Sequence, residues 1–314
     1  MKAFQQGRPL LVIRTTAPRA ARRHPLACSC DREVPRGRPL DLALASGGWK
    51  EKAFTGLLCA MNHAEKFYPK LHAADKGYAA GDYDLESLLG LRVVRDWATA
   101  APDRRLLRLL DVGCGKGLFL RDFVGALRQR WRVKQVHAAG VDLVRSPGHH
   151  FDEVCQDFEF FEQNLDGQPL PFADQSFDFV CCNQVLEHIF ETEKLVREFR
   201  RVLQPQGLCV ISVPNLAAWV NRFFFLFAGQ PLGSELGAEK ITYGFWPPFL
   251  QSKLERFHPS GHIRDFTPRG LKDLTGHCGF ETVGWWKQSK GLVAGLGKWA
   301  GRNLGIVLRP ALRT

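Results

Sequence analysis

The chain has 314 residues, of which 45% are hydrophobic and 24% charged, the proportions of a globular protein with ample core. Its net charge of +11 sits at the two ends: residues 1–60 carry 11 Lys and Arg against 4 acids, residues 285–314 carry 6 against none, and the body, 61–284, carries 26 against 28. A nearly neutral body does not support a basic nucleic-acid cleft, so nucleic acid is disfavoured as a partner. Residues 1–60, rich in Arg, Pro, Ala and Gly, read as a basic extension, either disordered or an over-extended reading-frame start; their acid-free first 27 residues also resemble a transit peptide. The recognisable domain begins near Met61 and spans 61–314.

From about residue 85 the chain alternates helical and strand-like segments. Leu85–Ala98 has helical apolar spacing, and Leu106–Val112 is a first strand. Lys116–Gln129 predicts a helix with Leu118, Phe119, Phe123, Ala126 and Leu127 on one side. Val136–Leu143, Phe158–Gln163 and Phe177–Asn183 predict further strands. Glu191–Leu203 predicts a helix stopped by Pro205 and Gly207, and Leu208–Val213 a fifth strand. Residues 215–262 break the rhythm and read as an aromatic-rich lid insertion. Thr267–Cys278 then predicts a capped helix, and Phe280–Lys287 with Gly305–Leu308 a closing strand pair. Apolar strands separated by helices imply a mostly parallel sheet covered on both faces, an α/β fold.

Nine scattered cysteines, including the adjacent pair Cys181 and Cys182, form no disulfide framework and suggest a reducing compartment. His24, Cys28 and Cys30 have no second Cys/His pair at zinc-like spacing, so no metal site is expected. No apolar run approaches the ~20 residues of a membrane-spanning helix. The nearest, Trp219–Ala228, is short and carries Arg222. These features fit a cytoplasmic protein with, at most, peripheral membrane contact through the lid or the basic C-terminal tail.

The chemistry concentrates in "LLRLLDVGCGKGLFL", Leu106–Leu120, where an apolar strand ends in Asp111 and Gly113, Cys114, Gly115 and Gly117 follow. The dinucleotide pattern fails at its third glycine, and the P-loop pattern fails on spacing. A carboxylate at the strand tip repels phosphate and suits a ligand with positive charge and no phosphate. S-adenosylmethionine is such a ligand, and the three glycines would let the backbone approach it closely.

"LDVGCGKG" resembles the first motif of class I S-adenosylmethionine-dependent methyltransferases, and later segments follow in the same order. "GVDLV" is similar to the second strand, "LPFADQSFDFVCCNQVLEHI" to the fourth-strand region, and "FRRVLQPQGLCVISVPN" to the helix and strand beyond it. "GHIRDFTPRGLKDLTGHCGF" resembles the segment after the lid in small-molecule and cell-envelope members. The likeness covers roughly residues 75–285. It implies a Rossmann-like, doubly wound seven-stranded sheet and S-adenosylmethionine as cofactor.

By the same resemblance, Asp142 and Leu143 at the second strand tip take the ribose, and Asn164, with Asp166 as alternative, meets the adenine amine. Asn183 and Gln184 line the pocket edge. His188 is the candidate catalytic group, to take a proton from the nucleophile or to orient the substrate. His262 and Arg264 are candidates for an acidic group of the substrate. The expected reaction is methyl transfer, to oxygen, of a small molecule or a glycan or lipid intermediate. A quinone-type or other lipid-soluble acceptor, and a non-catalytic binding protein, are the rival readings. The acceptor and the oligomeric state are not specified by the sequence.

Overall fold

The structure, a computed structural model, describes residues 84–100, 106–237, 239–245, 259–287 and 301–311. The extension 1–60, with His24, Cys28 and Cys30, lies outside the described residues, as does 246–258 of the lid.

Seven strands form one sheet in the order β3-β2-β1-β4-β5-β7-β6. They are β1 Leu107–Val112, β2 Val136–Asp142, β3 Phe158–Glu162, β4 Phe177–Asn183, β5 Leu203–Pro214, β6 Phe280–Lys287 and β7 Asn303–Pro310. The first five run parallel, and β7 lies antiparallel to both β5 and β6. The Rossmann-like, mostly parallel sheet therefore matches expectation, with its antiparallel pair at one edge. The chain winds outward from β1 through β2 and β3, then returns to place β4 on the other flank of β1. That switch point opens a crevice at the carboxyl ends of β1 and β4.

Successive strand residues face opposite ways. Leu110, Val112, Val180 and Ile211 enter one core layer, together with Leu195, Val196 and Phe199 of α5 (Thr192–Val202) and Leu271 of α7 (Pro268–His277). Leu107, Leu109, Phe179 and Val210 enter the other, covered by α2 (Arg92–Thr99) and α3 (Leu118–Trp131). The predicted face of α3 is buried through Phe119, Phe123 and Leu127, and Phe123 stacks on Phe179 with ring centroids 4.5 Å apart. Burying such a ring contributes about 1.5–3 kcal/mol.

Two expectations are corrected. Leu85–Ala98 is two helices, α1 (Leu85–Leu89) and α2, parted at Gly90, with Asp84 capping α1 through the Ser87 N–H. Pro205 and Gly207 stop α5 but do not delay the strand: β5 begins at Leu203, and its pairing with β4 shifts register between Phe177 and Phe179, which accommodates them. Gly207 is required there, because a Cβ would sit 2.6 Å from Leu203 Cδ1 and 2.9 Å from Asp178 O. The segment expected to be a lid insertion is described over 215–237, 239–245 and 259–262. It contains α6 (Trp219–Leu226), held by buried Asn221, whose Nδ2 donates to the carbonyls of Asn215, Leu216 and Leu232 while its Oδ1 accepts from Leu232 N. Phe224 of α6 is buried; Trp219, Phe223, Phe225 and Leu226 are exposed. No helix among the described residues is long and apolar enough to cross a membrane.

Candidate active site

The turn after β1 is fastened to the tip of β2. The Gly113 and Cys114 N–H groups donate to Val141 O at 2.8 and 3.2 Å, and Gly117 N donates to Cys114 O at 2.8 Å. Asp142 holds two amides with one carboxylate: Oδ2 accepts from Gly115 N and Oδ1 from Leu143 N, each at 2.7 Å. These charge-assisted bonds set the shape of the turn independently of any ligand.

The three glycines serve different ends. A Cβ on Gly113 would lie 2.1 Å from Val185 Cγ2, and one on Gly117 would lie 2.8 Å from the Phe151 ring. At both positions packing and a positive φ exclude a side chain. Gly115, with φ +50°, has no heavy atom within 4 Å of a built Cβ, so here the backbone borders open space. Cys114 is buried, its Sγ against Gly140, and it shapes the turn from below.

Asp111 is 3% exposed, level with Gly140 of β2 and Cys181 of β4. Burial pushes its carboxyl up to about 7; the Cys181 thiol, donating to Oδ1 at 3.3 Å, pulls the other way, and the charge of Asp142 adds to the rise. A neighbouring cation would reverse the balance. Open space at Gly115, a buried carboxyl at Asp111 and the tethered Asp142 together fit a cationic, phosphate-free nucleoside.

Asn164 and Asp166 are held by different partners. Both oxygens of Asp166 are engaged by Phe190 N and Glu191 N, at 3.1 and 3.0 Å, ahead of α5. Asn164 Oδ1 accepts from Asp166 N at 2.9 Å and retains a second lone pair for an adenine amine. At the tip of β4, Asn183 Oδ1 accepts from Ser212 Oγ, and its Nδ2 is buried with no partner. Gln184 bends away in a left-handed conformation, φ +55°, with its N–H on Ser212 O.

Beyond β4 lies a cluster that sequence reasoning only half found. Leu186–His188 form one 3-10 turn. The segment 260–264 docks on it: Ile263 N and Arg264 N donate to Glu187 O, while Glu235 of the lid accepts from the N–H groups of Ser260, Gly261 and His262. This brings the His188 and His262 rings to 4.9 Å between centroids. His188 Nδ1 lies 3.1 Å from Gly261 O, and His262 Nδ1 lies 2.8 Å from Gly233 O. A carbonyl only accepts, so each Nδ1 carries hydrogen and each Nε2 of the neutral ring carries the lone pair. Between them Glu187 is fully buried, no other residue hydrogen-bonds its side-chain oxygens, and burial pushes its carboxyl up to about 8 against the pull of its own backbone N–H. Arg264 does not join His262. Its Nη2 donates to Phe190 O at 2.8 Å and its guanidinium lies over the Phe190 ring. Glu187 escaped sequence reading because nothing in "VLEHI" marks it as unpartnered. A cavity of about 520 Å³ lined by Arg108, His137 and Gln204 includes none of these residues.

The model of the family described as "Methyltransferase domain" matches residues 85–284. The chain belongs to that family and is a class I S-adenosylmethionine-dependent methyltransferase. It is 28% identical over 193 residues to malonyl-[acyl-carrier protein] O-methyltransferase of Erwinia billingiae, covering 54% of this chain and 71% of that one. It is 32% identical over 134 residues to a probable S-adenosylmethionine-dependent methyltransferase of Mycobacterium tuberculosis, 43% of this chain and 45% of the relative. It is 25% identical over 177 residues to a mitochondrial ubiquinone biosynthesis O-methyltransferase of Dictyostelium discoideum, 52% of each chain. The chain thus spans about half the length of the last two. Among solved structures, an S-adenosylmethionine-dependent methyltransferase from Aquifex aeolicus aligns over 77% of this chain and 98% of its own, with a TM-score of 0.45 and 10% identity.

Proposed function

We propose that the enzyme transfers methyl to a hydroxyl oxygen of a small molecule or of a glycan or lipid intermediate. One observation carries this: two histidines whose Nε2 atoms hold the lone pairs stand beside the end of β4, next to the cofactor crevice. A hydroxyl must lose its proton to become a competent nucleophile, and an imidazole Nε2 is the natural acceptor. An amine delivered neutral needs no such group.

In this reading Gly115, Asp111, Asp142, Leu143 and Asn164 cradle the cofactor, and Asn183 Nδ2 donates to an oxygen of the bound ligands. S-adenosylmethionine supplies a methyl on sulfonium whose leaving group departs neutral. His188 takes the hydroxyl proton, His262 orients the acceptor, and the lid segment 260–264 excludes water. Alignment alone contributes up to about 7–11 kcal/mol in ideal cases. The nearly neutral body, 26 basic against 28 acidic residues over 61–284, favours a small or neutral acceptor over nucleic acid. The O-methyltransferase names of two relatives support the same choice. A lipid-soluble, quinone-type acceptor is the second reading, favoured by the exposed Trp219, Phe223 and Phe225 of α6.

The test is a metabolite-extract screen with cofactor labelled in its methyl group and mass spectrometry of the product. An O-methylated small molecule or lipid carrying the label is expected. Label found only on nitrogen, or only on RNA, would overturn the proposal.

A further inference from the structure

We propose that Glu187, His188 and His262 bind one divalent transition-metal ion, whose open positions take the hydroxyl oxygen of the acceptor. The second half rests on the acceptor class inferred above; the first half stands on geometry alone.

One carboxylate oxygen and two imidazole nitrogens lie within 4.8 Å of one another. Two donors each about 2.1 Å from a shared ion are at most about 4.2 Å apart. Glu187 Oε1 and His262 Nε2, at 4.0 Å, already satisfy that limit and are too far apart to hydrogen-bond to each other. Three donors on one ion in a tetrahedral arrangement stand about 3.4 Å apart, so the widest pair, now within 4.8 Å, needs to close by up to about 1.4 Å through side-chain rotation.

The surroundings match a ligand set. Metal-binding histidines usually donate the second ring N–H to a carbonyl or carboxylate, which fixes the tautomer and aims the lone pair. Both histidines do so, onto Gly261 O and Gly233 O. Glu187 adds the independent observation: a buried carboxyl with two unpartnered oxygens, which has a large desolvation cost unless something fills the space between it and the rings. The two-nitrogen, one-oxygen set suits zinc, cobalt, manganese or iron(II) better than calcium or magnesium, which prefer oxygen. Three protein ligands leave positions open for substrate.

The sequence shows no such site because 74 residues separate His188 from His262. Only the docking of 260–264 under Glu235 joins them. An ion here also acidifies a bound hydroxyl, as zinc lowers the pKa of bound water to about 7. The O–H bond then breaks with the proton passing to solvent, the O–C bond forms, and the C–S bond breaks with its electron pair remaining on sulfur. His188 is then a ligand, not the base.

The full chain is stripped with chelator, dialysed, and titrated with zinc by calorimetry and with cobalt(II) by visible absorption, beside Glu187→Gln and His262→Ala. About one equivalent of zinc, an intense low-coordinate cobalt spectrum, and more than about tenfold weaker zinc binding in both variants are expected. Both variants should retain cofactor affinity within about twofold, which also reports folding. An aqua-type cobalt spectrum in the unsubstituted chain overturns the proposal whatever the variants do. Methyl transfer that persists in chelator also overturns it, and leaves the O-methyltransferase reading standing with His188 as base.

Discussion

Asp111 makes cofactor affinity depend on pH, and its burial fixes the sign. Its carboxyl stands at about 7 against an ordinary 3.8, a rise of about three units. At 1.36 kcal/mol per unit, the empty pocket favours the neutral acid by about 4 kcal/mol. Among the described residues the groups facing it act in known directions: Asp142 raises it, the Cys181 hydrogen bond lowers it, and the thiols of Cys114 and Cys181, themselves pushed well up by burial, stay neutral. Because the folded chain holds a proton that the unfolded chain releases, stability of the cofactor-free protein falls as pH rises from about 4 to about 7, then levels off. Cofactor binding runs the other way. A sulfonium and an ammonium favour the ionised acid, so affinity should climb by up to tenfold per unit between about pH 5 and 7, with release of roughly one proton, and be flat above. Calorimetry in two buffers of different ionisation enthalpy measures both quantities. Asp111→Asn should abolish the slope. An affinity constant from about pH 5.5 to 7.5, with no buffer-dependent heat, would refute the assignment of Asp111 to the cofactor's positive charge.

The glycines should divide by experiment as they do by geometry: Gly117→Ala, at φ +77° and 2.8 Å from Phe151, should lower stability by about 1–3 kcal/mol in thermal melts. Gly115→Ala, which meets nothing, should cost about 1–2 kcal/mol from its backbone conformation and reduce cofactor affinity more than about tenfold, read by calorimetry. Phe123→Ala, which empties the stack on Phe179, should cost about 3–5 kcal/mol in denaturant titrations while cofactor affinity of the folded fraction stays unchanged. Arg264→Ala should leave turnover within about twofold and His262→Ala should lower it about a hundredfold or more, since only His262 faces His188.

The sheet was legible because its signals are local. "LLRLLDV" and "FDFVCCN" are apolar on both faces, as strands buried under helices must be, and Gly117 announces the start of α3. The registers were not legible. Pro205 and Gly207 carry the marks of a turn, yet β5 absorbs them because Gly207 lets Leu203 fold over it beside Asp178. The two roles of glycine in the β1 turn were equally hidden: Val185 lies 72 residues from Gly113, and Phe151 lies 34 from Gly117.

The acceptor side shows why site chemistry is harder to read than fold. Asp142 reveals itself through position, as the acid ending a strand 25 residues after a glycine turn. Glu187 has no such mark; in "VLEHI" it reads as a polar residue beside His188 in a short turn. Its character arises when Ile263 and Arg264 bind its backbone carbonyl and Glu235 draws His262 against it, so that the carboxyl is buried with no hydrogen bond from another described residue. Loosening that clamp should therefore act at a distance. Glu235→Ala removes an acceptor from Ser260, Gly261 and His262, frees the segment, and should lower turnover while leaving cofactor affinity within about twofold, because Asp142 holds Gly115 and Leu143 within the turn and the β2 tip themselves. A parallel loss of cofactor affinity and turnover in that variant would mean the two halves of the crevice are one cooperative unit, and that the lid shapes the nucleoside pocket as well as the acceptor's.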